Sequence, residues 1–101
     1  MTSETADFAL QQLRNTIDNI DTALICLLAE RFKTTQTVGE LKAHYQIPAS
    51  DPEREAQQVA RLRQLAENAQ LDPDFAERFF SFVVSEVIAH HKRIASSLEN
   101  D

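Results

Sequence analysis

The sequence predicts an all-α protein with three helices per chain, one of them very long, assembled as an intertwined homodimeric helical bundle. Three observations carry this. The 101 residues include one Gly and three Pro. That is too few turn-formers for a β-sandwich or barrel, and it leaves no Gly-rich phosphate loop of the dinucleotide-binding kind. The prolines, Pro48, Pro52 and Pro73, divide the chain into long segments rich in helix formers. Apolar residues make up 43% of the chain and are spread along all of it, which excludes disordered and low-complexity classes. At this length one domain, 1–101, is expected.

The first helix is predicted from about Thr5 to His44. Leu13, Ile17, Ile20, Leu24, Leu27, Arg31, Thr34, Val38, Leu41 and Tyr45 follow each other at alternating steps of four and three. This is a heptad-like seam. Forty helical residues extend about 60 Å. A compact 100-residue domain has a radius of gyration of only about 13 Å. The rest of the chain is too short to cover such a seam, so a second copy of the chain is expected to do it. Gly39 interrupts the helix interior, where Gly costs about 1 kcal/mol relative to Ala. It is either merely tolerated, the mark of a close helix crossing, or room left for a ligand.

The second helix is expected to begin at Pro52. A residue before proline is pushed out of the α region, so Asp51 is the natural N-cap and Pro52 the first helical residue. Val59, Leu62, Leu65 and Ala66 supply its apolar face, and it should end near Ala69. The third helix repeats the device, with Asp72 as cap and Pro73 first. Phe75, Phe79, Phe82 and Val83 form one stripe. Phe80, Val84, Val87, His91, Ile94 and Leu98 form another. Two stripes predict heavy burial of its first half.

The composition also restricts function. A formal net charge of −6 argues against nucleic acid as the main partner, because phosphate binding needs a basic face. No apolar run approaches the roughly 18–20 residues of a membrane span. Met1-Thr2-Ser3-Glu4 lacks the basic and apolar regions of a signal peptide, and the single Cys26 supports no intramolecular disulfide. A cytoplasmic protein is expected.

Charges on apolar faces are the informative residues. Arg31 takes a seam position between Leu27 and Val38. Lys42 lies eleven residues on, close to three helical turns, and so shares its face. Glu55 precedes Val59 by one turn and should point partly inward. His91 sits on the inner stripe of the third helix. Each alone reads as a snorkelling or paired side chain. Together they predict a polar pocket inside a helix bundle, suited to a small carboxylate. His90 and His91 diverge as neighbours on a helix and have no partner at metal-ligand spacing, so no metal is expected. Cys26 lacks a nearby His and reads as a small packed hydrophobe. Ser81 and Ser85 have no evident base. Nothing calls for a cofactor.

The chain resembles the small all-helical chorismate mutases, a family of intertwined helical dimers. The matching stretches are Leu13-Arg14-Asn15-Thr16-Ile17-Asp18, Leu28-Ala29-Glu30-Arg31, Val38-Gly39-Glu40-Leu41-Lys42 and Asp51-Pro52-Glu53-Arg54-Glu55. The third helix matches in pattern through Phe82-Val83-Val84-Ser85-Glu86. The resemblance covers about residues 8–95, and the order and spacing of the motifs make it specific.

The resemblance implies an isomerase of aromatic amino-acid biosynthesis. It converts chorismate to prephenate by a unimolecular Claisen rearrangement, with no nucleophile, metal or proton transfer. It further implies that Arg31 and Arg14 grip the substrate carboxylates, and that Lys42 donates to the ether oxygen and a carboxylate. Glu55 would accept from the ring hydroxyl, Asp51 would contribute its backbone there, and Arg54 would line the site. The family usually carries Ser and Gln where this chain has Val87 and His91. Val87 lacks the hydroxyl, while His91 would be the second donor to the ether oxygen, with a pH-sensitive role. Arg14 and Arg31 are 17 residues apart, about 26 Å along one helix. If both touch one substrate, Arg14 comes from the partner chain. Two alternatives stay open. One is isochorismate pyruvate lyase on the same fold, against which Glu55 and Asp51 favour the mutase. The other is a non-catalytic helical dimer regulating a partner enzyme. Standalone mutases also pair with other enzymes of the aromatic pathway.

Overall fold

All the regular secondary structure among the residues described in this computed structural model, 3–99, is helix. Helix α1 spans Ser3–His44, α2 spans Pro52–Asn68 and α3 spans Pro73–Glu99. The expected all-α class and the one very long helix are both present, and α1 starts two residues before its predicted Thr5. The chain forms two compact units, one up to Lys33 and the other from Thr34 onward.

The first unit is the N-terminal part of α1. It contains no Gly or Pro, and its polar side chains stabilise the helix locally. Gln11 Nε2 donates to Asn15 Oδ1 at 2.9 Å, and Lys33 meets Glu30 at 3.2 Å. The Thr16 and Thr22 hydroxyls donate back to the carbonyls of Gln12 and Asp18. Its apolar row is uncovered in the single chain: Leu13 is 62% exposed and Leu27 69%, with Ile17, Ile20 and Leu24 also exposed. Cys26 is exposed beside this row rather than packed.

The second unit holds the end of α1, then α2 and α3, which pack on each other. Both proline-marked starts behave as the capping chemistry requires. Asp51 accepts the Arg54 amide at 3.1 Å, and Asp72 accepts the Asp74 amide at 2.9 Å. The helix ends are built without glycine. Gln46 and Gln70 adopt left-handed φ values of 57° and 60°. After α1, Ile47 N donates to Lys42 O and Gln46 N to Ala43 O. After α2, Leu71 N donates to Ala66 O and Gln70 N to Glu67 O. Each end is a Schellman closure, with an apolar residue just beyond the left-handed one.

Arg63 on α2 ties the hairpin, reaching Asp74 at 2.9 Å and Glu77 at 3.1 Å on α3. These two carboxylates, Asp74 first, raise the guanidinium pKa above its ordinary value. Ala66, Ala76 and Val83 are the buried hydrophobic residues among those described. Phe79 lies edge-on to Phe80, with ring centroids 5.4 Å apart. The predicted heavy burial of the first half of α3 is only partly met. Phe79 and Phe80 are half-buried, but Phe75 is 49% exposed and Phe82 67%. A helix with two stripes needs two covering surfaces, and α2 can cover only one.

Candidate active site

Six of the eight residues singled out lie in the second unit: Lys42, Asp51, Arg54, Glu55, Val87 and His91. Arg14 and Arg31 lie in the first, Arg14 exposed and Arg31 half-buried.

The α2 start is organised around Asp51. Its carboxylate holds the Arg54 amide and its carbonyl accepts the Glu55 amide at 2.9 Å. This fixes the first turn and aims Glu55 at α3. Glu55 is half-buried at a groove of about 330 Å³ between α2 and α3. Val59, Leu62, Phe80, Val84 and Ile88 form most of its apolar wall, with Gln58, Ser81 and Ser85 as polar points. Arg54 is exposed, and Val87 is half-buried on α3.

Lys42 is half-buried near the C-terminal end of α1, and its Nζ donates to the Ala49 carbonyl at 3.2 Å. It borders a different groove, of about 910 Å³, shared with Ile47, Ala49, Lys92, Ser96 and Leu98. Lys42 lines this groove, and Glu55 lines the one between α2 and α3.

His91 is 4% exposed, and its Nε2 lies 2.8 Å from the Thr35 carbonyl oxygen on α1. A carbonyl only accepts, so Nε2 carries the proton and donates. Nδ1 is covered and makes no hydrogen bond. In the neutral ring that atom is a lone pair; in the cation it is a second donor. The ring occupies the space that Gly39 leaves on α1.

Sequence reasoning did not single out Ser85, Val84, Ile88 and Gln58 as groove residues. Their signal was the Phe80–Val84–Val87 stripe of α3 facing Val59 and Leu62 of α2. Among the described residues no cluster of three His, Cys, Asp or Glu could hold a metal ion. No helix among them is long and apolar enough to cross a membrane.

The fold defines an all-α protein whose polar side chains sit at helix-lined grooves. The family model for chorismate mutase type II matches residues 13–92. A chorismate mutase of Methanocaldococcus jannaschii is 31% identical over 91 residues, covering 90% of this chain and 92% of that protein. The T-protein of Enterobacter agglomerans is 42% identical over 77 residues, which is 76% of this chain. A bifunctional chorismate mutase/prephenate dehydratase of Buchnera aphidicola is 29% identical over 92 residues. The chain spans only 21% and 24% of the length of these last two relatives. The chain belongs to the chorismate mutase type II family, a family of isomerases, and all three of its helices fall within or overlap the matched region.

Proposed function

We propose that this chain rearranges chorismate to prephenate as an intertwined homodimer, each chain acting as one domain over 1–101. The observation that carries the reading is Glu55 at the apolar groove between α2 and α3. A carboxylate over an apolar wall suits a cyclohexadiene ring that bears a hydroxyl. The rearrangement needs no nucleophile and no proton transfer, only a held conformer and stabilised charge on the ether oxygen.

Each residue then has a role. Glu55 accepts from the ring hydroxyl, with Asp51 supplying its backbone and Arg54 lining the entrance. Arg31 binds one carboxylate, and Arg14 of the partner subunit binds the other. Lys42 leaves the Ala49 carbonyl and donates to the ether oxygen, an interaction that strengthens as the bond breaks and so raises the rate. His91, with Nε2 committed to Thr35, has only Nδ1 to offer, and Nδ1 donates only from the cation. Val87 adds apolar wall. The uncovered α1 row, Leu13 to Leu27, supports assembly with a second copy.

The reading places the protein in the cytoplasm, and an enzyme that consumes prephenate is the partner it fits. The fused relatives support this, since one carries the name bifunctional chorismate mutase/prephenate dehydratase. Purified protein incubated with chorismate should consume it and yield prephenate alone. Release of pyruvate from isochorismate without that product would make it a lyase. No turnover of either would leave a non-catalytic helical protein.

A further inference from the structure

We propose that Gly39 is a positioning residue that acts through His91, and that the two form a size-matched pair setting the spacing between the Lys42 face of α1 and α3. The proposal rests on the reading that Lys42 and His91 serve one reacting oxygen.

Gly39 is buried on α1. A Cβ there would lie 2.5 Å from His91 Cδ2 and 3.1 Å from His91 Nε2. It would also lie 3.0 Å from Ile94 Cδ1. The Ile94 atom is the free end of a flexible side chain and can rotate away. The His91 ring cannot do so cheaply, because it is 4% exposed and its Nε2 is anchored 2.8 Å from the Thr35 carbonyl. Thr35 and Gly39 are one helical turn apart, so the ring lies along that turn, bonded at one end and seated on the missing side chain at the other. Lys42 follows Gly39 by three residues and shares its face.

Alanine at position 39 should therefore push the ring outward, stretch the Nε2 bond and carry α3 away from the face that holds Lys42. Elsewhere in a helix the same change would help, since interior glycine is a poor helix former. A glycine retained here against that preference is explained by the ring.

The test is a double-mutant cycle of wild type, Gly39→Ala, His91→Ala and Gly39→Ala/His91→Ala. Thermal midpoints and chorismate kinetics are read well below the lowest midpoint. Gly39→Ala should lower the midpoint of the wild type and raise that of His91→Ala, a reversal of sign. In the wild-type background kcat should fall about 10–100-fold, the scale of a 1 Å misplacement. KM should stay within about threefold, because the lost interaction belongs to the transition state. In the His91→Ala background, adding Gly39→Ala should leave kcat within about twofold.

Equal effects of Gly39→Ala in both backgrounds, in midpoint and in kcat, overturn the proposal. If Gly39→Ala fails to fold while the double variant folds, the steric pair stands; if neither folds, it falls. A wild type that turns over no chorismate overturns the functional reading and the kinetic part of this proposal. The sign reversal in midpoint still decides whether the pair exists.

Discussion

The amide of Ile47 donates to the carbonyl of Lys42 across 2.7 Å, so the residue proposed to face the ether oxygen also closes the helix that carries it. The Lys42 amine holds the same loop from the other side, through Ala49 O. The backbone closure does not depend on the side chain. Lys42→Ala should therefore keep its helical signal by circular dichroism while kcat drops about 10²–10³-fold, the cost of one lost donor at developing charge. Near-wild-type turnover by the folded variant would remove Lys42 from the mechanism.

Arg14 and Arg31 occupy the same helix, 17 positions apart. Arg14→Ala and Arg31→Ala should each be nearly inactive. Refolded together they should regain activity, since a mixed dimer has one site with both defects and one with none. Mixed dimers that form, as shown by tagged pull-down, yet stay inactive would refute sharing of the site between chains.

Gln46 and Gln70 hold left-handed conformations that cost a side-chain-bearing residue about 1–2 kcal/mol. Glycine escapes that cost but loses more entropy on folding, about 0.5–1 kcal/mol. Gln46→Gly and Gln70→Gly should each raise stability by a few tenths to about 1 kcal/mol in urea unfolding. A fall in either midpoint would mean that the glutamine side chain contributes more than its backbone costs.

Arg63 pairs with both Asp74 and Glu77. The folded-state pKa of its guanidinium is raised, chiefly by Asp74, so the stability it contributes is fully present below the ordinary arginine value and is lost only as pH rises through the higher folded value. Removing the charge is therefore the useful probe. Arg63→Gln should lower the thermal midpoint by no more than a few degrees at low salt, and the gap should narrow as salt screens the pair. A gap indifferent to salt would assign the effect to packing of the arginine stem.

If His91 donates to the ether oxygen through Nδ1, His91→Ala should lower kcat, and His91→Gln, which keeps a side-chain donor, should restore part of the loss. Equal kcat for wild type and a folded His91→Ala would make His91 a packing residue only.

The capping pairs were legible in the sequence because their chemistry is local. Asp51-Pro52 and Asp72-Pro73 state where helices start whatever surrounds them. The end of α1 at His44 agrees with the sequence reading, while that of α2 falls at Asn68, one residue before the expected Ala69; the left-handed residue that closes each helix is Gln rather than Gly. The exposure of Phe82 was misread, since periodicity tells which residues share a face but not whether the chain has enough surface to cover it. Gly39 and His91 were each singled out, yet their contact joins residues 52 positions apart on separate helices. No spacing rule reaches that far.

If the proposed second copy covers the α1 row, the amount of protein becomes a variable of its stability. If folding and pairing are one event, mass action ties the folded fraction to concentration, and dilution acts as a denaturant. Each tenfold dilution then removes about 1.4 kcal/mol per mole of dimer, so melting at a tenth of the concentration should occur at a lower temperature. A scarce copy of this chain would spend more of its life unpaired, with Leu13, Ile20 and Leu27 open to proteases and to unrelated apolar surfaces.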